Sequence, residues 1–253
     1  MNVLEIENLE KTYKLSKNDK IKVLRGVNLK VEKGEMVAIM GPSGSGKTTL
    51  LNILSGIDCA DKGSVLFNGN DLINMSKSKL ALFRRQKMGL VFQEFNLIDS
   101  LNIKENIMMP MILEKKEMEE MESKTQEITR LLGISDILDK DMHEISGGQK
   151  QRAAICRALV NEPDIIFADE PTGNLDSKST KDVINYLNII NENLGTSVLM
   201  VTHDSFAASY FKRVILLKDG EIISDISKKS SRKEFFQEIL DVLSLIGGDS
   251  DEF

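Results

Sequence analysis

Tryptophan is absent from this 253-residue chain, and cysteine occurs only twice, at Cys59 and Cys156. Two cysteines offer no disulfide framework and no paired metal spacing, so both are expected to be small, buried or half-buried residues of a reduced protein. Long hydrophobic runs are missing too: nothing approaches the roughly 18 uninterrupted apolar residues that a membrane span requires. Met1-Asn2-Val3-Leu4-Glu5 lacks the basic start and apolar stretch of a secretory signal, and the chain is expected to be cytoplasmic. Basic excess is also lacking, with 33 Lys and Arg against 39 Asp and Glu and a formal net charge of −6. That balance argues against nucleic acid as a partner, leaving only a local basic patch open. No internal repeat or long heptad run is visible.

What is present suits one sizeable core with a subdomain. Val3 to Leu9 alternates like a strand with one buried face. Glu35 to Met40 reads as a buried strand running into a glycine loop, with a helical pattern from Lys47 to Leu54. A further strand bounded by glycines is expected at Gly63 to Gly69, and Met88 to Phe92 is a short apolar run; strand signals return at Asp164 to Ala168, Ser197 to Val201 and Val214 to Leu217, separated by helical segments as in a parallel α/β sheet. Between Asn102 and Leu159 the pattern is helical. Met108, Met109, Met111, Met118 and Met121 cluster there, read as adaptable core packing with a partner surface as the alternative. The charged stretch beyond Ser227 gives way to an amphipathic pattern through Phe235, Phe236, Ile239, Leu240, Leu243, Leu245 and Ile246, then an acidic tail.

Chemistry concentrates at few places. Gly41-Pro42-Ser43-Gly44-Ser45-Gly46-Lys47-Thr48-Thr49 matches a phosphate loop at Gly41, Gly46, Lys47 and Thr48. In that template backbone N–H groups surround phosphates, Lys47 meets the β and γ oxygens, and the Thr48 hydroxyl ligates Mg²⁺. Ile165 to Glu170 is an apolar strand ending in two carboxylates, where open α/β sheets bind ligands. Asp169 is expected to position Mg²⁺ and Glu170 to polarise the attacking water; a carboxylate pair that merely caps a helix is the alternative. Ser146-Gly147-Gly148-Gln149, at an expected helix start, is a second phosphate-binding device without a partner in its own subunit. A shared nucleotide follows from it, unless it is only a cap. Asp176 suits an N-cap for a helix from Ser177. His203 follows a strand, which favours function over a structural role, whereas His143 has no such setting. Tyr13 is placed to stack on adenine, with a packing aromatic as the alternative. Gln93, just after an apolar run, is either an exposed polar residue or a sensor.

The phosphate loop together with Glu144-Ile145-Ser146-Gly147-Gly148-Gln149-Lys150-Gln151-Arg152 resembles the ATP-binding cassette (ABC) family, although Ile145 stands where Leu is commoner. The resemblance implies a P-loop NTPase (RecA-like) α/β core with an antiparallel β subdomain and an inserted α-helical subdomain. Residues 1–93 and 161–226 would form the core, 94–160 the helical subdomain with the signature, and 227–253 a C-terminal helix and tail. It also implies ATP and Mg²⁺ as cofactors, a head-to-tail dimer enclosing two ATP, and roles for particular residues. Gln93 would sense Mg²⁺ and water, His203 would contact the γ-phosphate, and Asp176 would belong to a loop crossing the dimer interface.

Pro171-Thr172-Gly173-Asn174-Leu175-Asp176 looks like the group of macrolide-export, lipoprotein-release and cell-division ATPases. Val201-Thr202-His203-Asp204, Ala207-Ala208-Ser209-Tyr210, Phe235-Phe236-Gln237 and Gly247-Gly248 make it most similar to the Bce-type, bacitracin-export branch. That branch implies a separate membrane permease, a place at the cytoplasmic membrane face, and a sensor histidine kinase as a further candidate partner. The alternative is a cell-division-type complex that regulates wall hydrolases without transport. Soluble translation and DNA-repair relatives fit less well, because their second cassette or long coiled coil is absent.

Overall fold

The structure is a computed structural model that describes residues 1–14, 16 and 19–247; the expected acidic tail and Gly248 lie outside the described residues, as does the side chain of Ile246. In chain order the elements are β1 (Asn2–Lys14), β2 (Lys20–Glu32), β3 (Met36–Met40), α1 (Lys47–Leu54), β4 (Lys62–Phe67), β5 (Asn70–Asp71), α2 (Lys77–Lys87) and β6 (Met88–Phe92). There follow α3 (Ile103–Leu113), α4 (Met118–Leu131), α5 (Gly147–Leu159), β7 (Ile165–Asp169), α6 (Ser177–Leu194) and β8 (Ser197–Val201). The chain closes with α7 (Ser205–Ala208), β9 (Arg213–Lys218), β10 (Glu221–Ser227) and α8 (Arg232–Gly247). Two compact units result, Met1–Asn74 with Leu199–Phe253, and Met75–Val198; the boundary falls inside β8.

In the first unit an antiparallel sheet runs β2-β1-β4-β5, and a second set of strands runs β10-β9-β3-β8. β3 pairs in parallel with β9, Ile39 opposite Ile215, while β10 returns antiparallel to β9. Every residue of β3 is buried, which its sequence Met-Val-Ala-Ile-Met dictates: a strand apolar on both faces belongs inside a covered sheet. Asp219 and Gly220, both at positive φ, close the β9–β10 hairpin.

The second unit carries β8-β7-β6 with five of the helices. β6 and β7 are parallel, with Phe92 opposite Asp169. α3 opens on a reciprocal cap: Glu105 N donates to Asn102 Oδ1 at 2.8 Å and Asn102 N donates to Glu105 Oε2 at 2.9 Å. α6 ends at Gly195 in the left-handed region, the usual stop.

Two expectations need correction. Cys59 is exposed; it sits in the turn after α1, where Asp58 and Lys11 hold its backbone and nothing draws the thiol inward. Cys156 is fully buried as expected, and burial drives its thiol well above the ordinary range, so it is no nucleophile. Of the methionines, Met108, Met111 and Met121 are core, but Met118 is 57% exposed.

Candidate nucleotide site

Residues 41–46 of the first unit form a loop between buried β3 and α1, and Lys47, Thr48 and Thr49 open α1. A Cβ on Gly41 would lie 2.0 Å from the backbone oxygen of Leu217, and one on Gly46 would lie 2.9 Å from that of Val23. Glycine is therefore needed because β9 and β2 press against the loop. The β9–β10 turn holds it from below, Gly220 N donating to Ser45 O at 3.1 Å. Lys47 Nζ donates to the carbonyls of Gly41 and Pro42, both at 2.9 Å, and is folded over the loop's own backbone. Ser45 Oγ is buried and has no hydrogen-bond partner among the described residues. An unmet buried hydroxyl beside a lysine within a glycine cradle is the donor set that a polyphosphate satisfies. Pro42, Ser43, Gly44 and Thr48 are exposed, and Thr49 half-buried.

Tyr13, on β1 of the same unit, is half-buried. Its hydroxyl donates to Asp58 Oδ2 at 2.6 Å, and Lys11 Nζ stands 4.8 Å from its ring centroid while bonding Asp58 at 2.8 Å. Burial and the Asp58 carboxylate push the phenol above its ordinary range, so Tyr13 is a neutral, fixed ring. His203 follows β8 as an exposed residue between Thr202, whose N donates to Ile39 O at 3.1 Å, and Asp204, the N-cap of α7.

The second unit gathers the other candidates. Because Phe92 and Asp169 are opposite partners in parallel strands, Gln93 and Glu170 both emerge at the carboxyl edge. Glu170 has φ 47°, a left-handed conformation uncommon for a side-chain-bearing residue and frequent where backbone strain serves function. Its carbonyl accepts from Gly173 N at 3.0 Å, turning the loop that follows. Gln93 Nε2 donates to Asn174 Oδ1 at 3.1 Å, and Asn174 Nδ2 donates to Gln93 O at 3.3 Å.

Ser146 and Gln149 cap α5 reciprocally. Ser146 Oγ accepts from Gln149 N at 3.3 Å, and Ser146 N donates to Gln149 Oε1 at 2.9 Å. The hydroxyl proton of Ser146 is left to donate elsewhere, so cap and phosphate-binding roles are compatible. Gly148 abuts Ser179, whose Oγ donates to Asp176 Oδ2 at 2.7 Å. Asp176 also accepts from the N–H groups of Lys178 and Ser179, capping α6, and the Ser179 amide above all holds its carboxyl below the usual range. A Cβ on Gly147 would sit 3.6 Å from Leu175 Cδ2 and 3.9 Å from Phe95 Cζ. Residues 93–95, 146–149 and 171–176 thus converge.

Sequence reasoning missed what fastens this cluster. Arg157 Nη2 donates to Phe95 O at 2.9 Å, and its Nη1 to Asn96 O. The Asn106 side chain, fully buried, accepts from Ile98 N at 2.7 Å and donates to the carbonyls of Ile98, Leu101 and Asn102. A polar residue on an apolar helical face was the available signal in each case; its target was not readable.

The sequence profile of the ABC transporter family matches residues 24–173. The chain is 50% identical over 251 residues to the ABC transporter ATP-binding protein YxdL of Bacillus subtilis (strain 168), covering 99% of this chain and 97% of that one. It is 48% identical over 249 residues to the bacitracin export ATP-binding protein BceA of Halalkalibacterium halodurans, covering 98% of each. The dimeric structure of the ATP-binding cassette MJ0796 in a post-hydrolysis state, bound to ADP and Pi, superposes with a TM-score of 0.82 at 38% identity over 90% of this chain and all of that one.

Proposed function

The chain belongs to the ABC transporter family, and from that premise we propose that it is the ATPase of a Bce-type exporter that protects against antimicrobial peptides such as bacitracin. It binds and hydrolyses ATP as an ABC cassette, and no helix among the described residues is long and apolar enough to cross a membrane. A separate permease is therefore its partner at the cytoplasmic membrane face, and a sensor histidine kinase is reached through that permease. The 48% identity to a bacitracin export ATP-binding protein supports the substrate class.

Roles follow from the residues. Ser43, Gly44, Ser45 and Gly46 offer backbone amides and hydroxyls to phosphate oxygens, Lys47 its ammonium, and Tyr13 a ring to adenine. Thr48 in the first unit, and Asp169 and Gln93 in the second, are the residues that would ligate Mg²⁺, which would supply neutralisation of phosphate charge. Glu170 accepts the proton of the attacking water. Ser146, Gly147, Gly148 and Gln149 present the start of α5 to the nucleotide of a second copy, and Asp176 lies at the same contact. His203 meets the γ-phosphate.

The observation that carries coupling to a partner is the convergence of Gln93, Phe95, Gly147 and Asn174. A residue that senses nucleotide is physically joined there to the signature helix and to the segment 95–98, where Ile98 is 43% exposed. A two-state element of this kind is biased by nucleotide on one side and by the permease on the other. Replacing half-buried Phe95 by Asp is expected to lower co-purified permease about tenfold, with ATP affinity of the isolated subunit unchanged. Full co-purification of that variant would place docking elsewhere, and loss of its fold would make Phe95 an internal anchor. Mass spectrometry of the native membrane complex tests the exporter reading itself, which requires a permease among the accompanying chains.

A further inference from the structure

α7 and α8, in the first unit, meet around one cation. The Arg232 guanidinium lies 5.2 Å from the ring centroid of Phe206 and 4.6 Å from that of Tyr210, and the two rings meet edge to face at 5.3 Å. The first turn of α8 is itself fixed, since Ser231 N and Oγ donate to Glu234 Oε2 at 3.0 and 2.8 Å. One turn further along, Phe235 and Ile239 are fully buried, so α8 is seated on the unit.

The aromatic pair leads straight back to His203. Asp204 N donates to Thr202 Oγ1 at 3.0 Å, and Phe206 N donates to Asp204 Oδ1 at 2.8 Å. His203 is thus held at one end by Thr202, whose backbone N–H is bonded to Ile39 O of β3, and at the other by α7. A helix of four residues has no stability of its own, because it is shorter than the nucleus a helix needs. Its placement is set by what packs against it, which is α8 on one side and β3 on another.

We propose that Arg232 is a positioning residue for His203: by clamping Phe206 and Tyr210 it fixes α7, and α7 fixes the histidine that meets the γ-phosphate. The C-terminal helix thereby sets how well the ATPase fires. This rests on the reading of His203 given above. Arg232 is exposed and its guanidinium is engaged with Phe206 and Tyr210, so its removal is expected to leave nucleotide binding untouched. A cation over an aromatic face at an exposed site biases an equilibrium by about two- to fivefold, and two such contacts are lost together.

The chain has only two histidines, so labelling histidine Cε1 in the full-length protein gives two resonances, with His143 as an internal reference. In the Arg232→Ala protein kcat is expected to fall about three- to tenfold with KM for ATP unchanged. The His203 resonance moves or broadens in the presence of Mg·ATP while that of His143 stays, and Arg232→Lys, which keeps the cation, recovers most of both. Unchanged kcat, an unchanged His203 resonance, no recovery with Lys, or equal movement of the His143 resonance would each overturn the proposal. The underlying reading fails separately: His203→Ala protein with undiminished turnover removes the role of His203 itself.

Discussion

Replacing Glu170 by Gln is expected to lower ATP turnover by about a hundredfold or more while ATP affinity stays within about twofold. The amide has the size and hydrogen-bonding reach of the carboxylate but cannot accept a proton from water, so what is removed is the base and not the site. The backbone supports this choice of substitution. Glu170 sits at φ 47°, and Gln tolerates that region no worse than Glu, so the loop through Gly173 keeps its turn. Undiminished phosphate release by the variant would take the catalytic role from Glu170.

The second large effect is on the phosphate loop. Gly41→Ala places a methyl 2.0 Å from the backbone oxygen of Leu217, and that oxygen belongs to β9, a strand paired on both sides that cannot retreat. The loop must move instead, with an expected loss of about 2–4 kcal/mol of stability and of most ATP affinity. Gly44→Ala is the control. Its φ of 79° disfavours Ala, yet its Cβ would meet nothing within 4 Å, so the cost should be near 1 kcal/mol. Thermal unfolding and nucleotide titration of both variants check this; equal behaviour of the two would mean that close packing against β9 does not hold the loop.

The strand, glycine loop and helix around residues 36–54 were legible because a fully apolar strand, glycines and a helical pattern each carry a local signal. β2 and β10 were not. Their exposed faces are crowded with Lys, Glu, Asp and Ser, and the burial of β10 alternates only between exposed and half-buried residues. α2 was missed for a related reason: with none of its residues buried, it has no apolar stripe to betray it. The caps at Ser146 and Asp176 could be foreseen from residue type. The meeting of Gln93 with Asn174, of Phe95 with Gly147, and of Arg157 with the backbone at 95–96 depends on parallel pairing of β6 with β7 and on the course of α5. Residues some 50 to 80 positions apart in sequence are brought together by those elements, and no local pattern encodes them.

In the proposed dimer each nucleotide is completed by the start of α5 from a second copy. Sedimentation velocity of the Glu170→Gln protein tests it most directly, because a hydrolysis-deficient cassette keeps its ATP. With saturating Mg·ATP the protein is expected to sediment as a dimer and with Mg·ADP as a monomer, and adding Ser146→Arg, which places a long cation at the α5 cap, should leave it monomeric in both. A monomer at saturating Mg·ATP, or a dimer indifferent to nucleotide and to Ser146, would contradict the shared site.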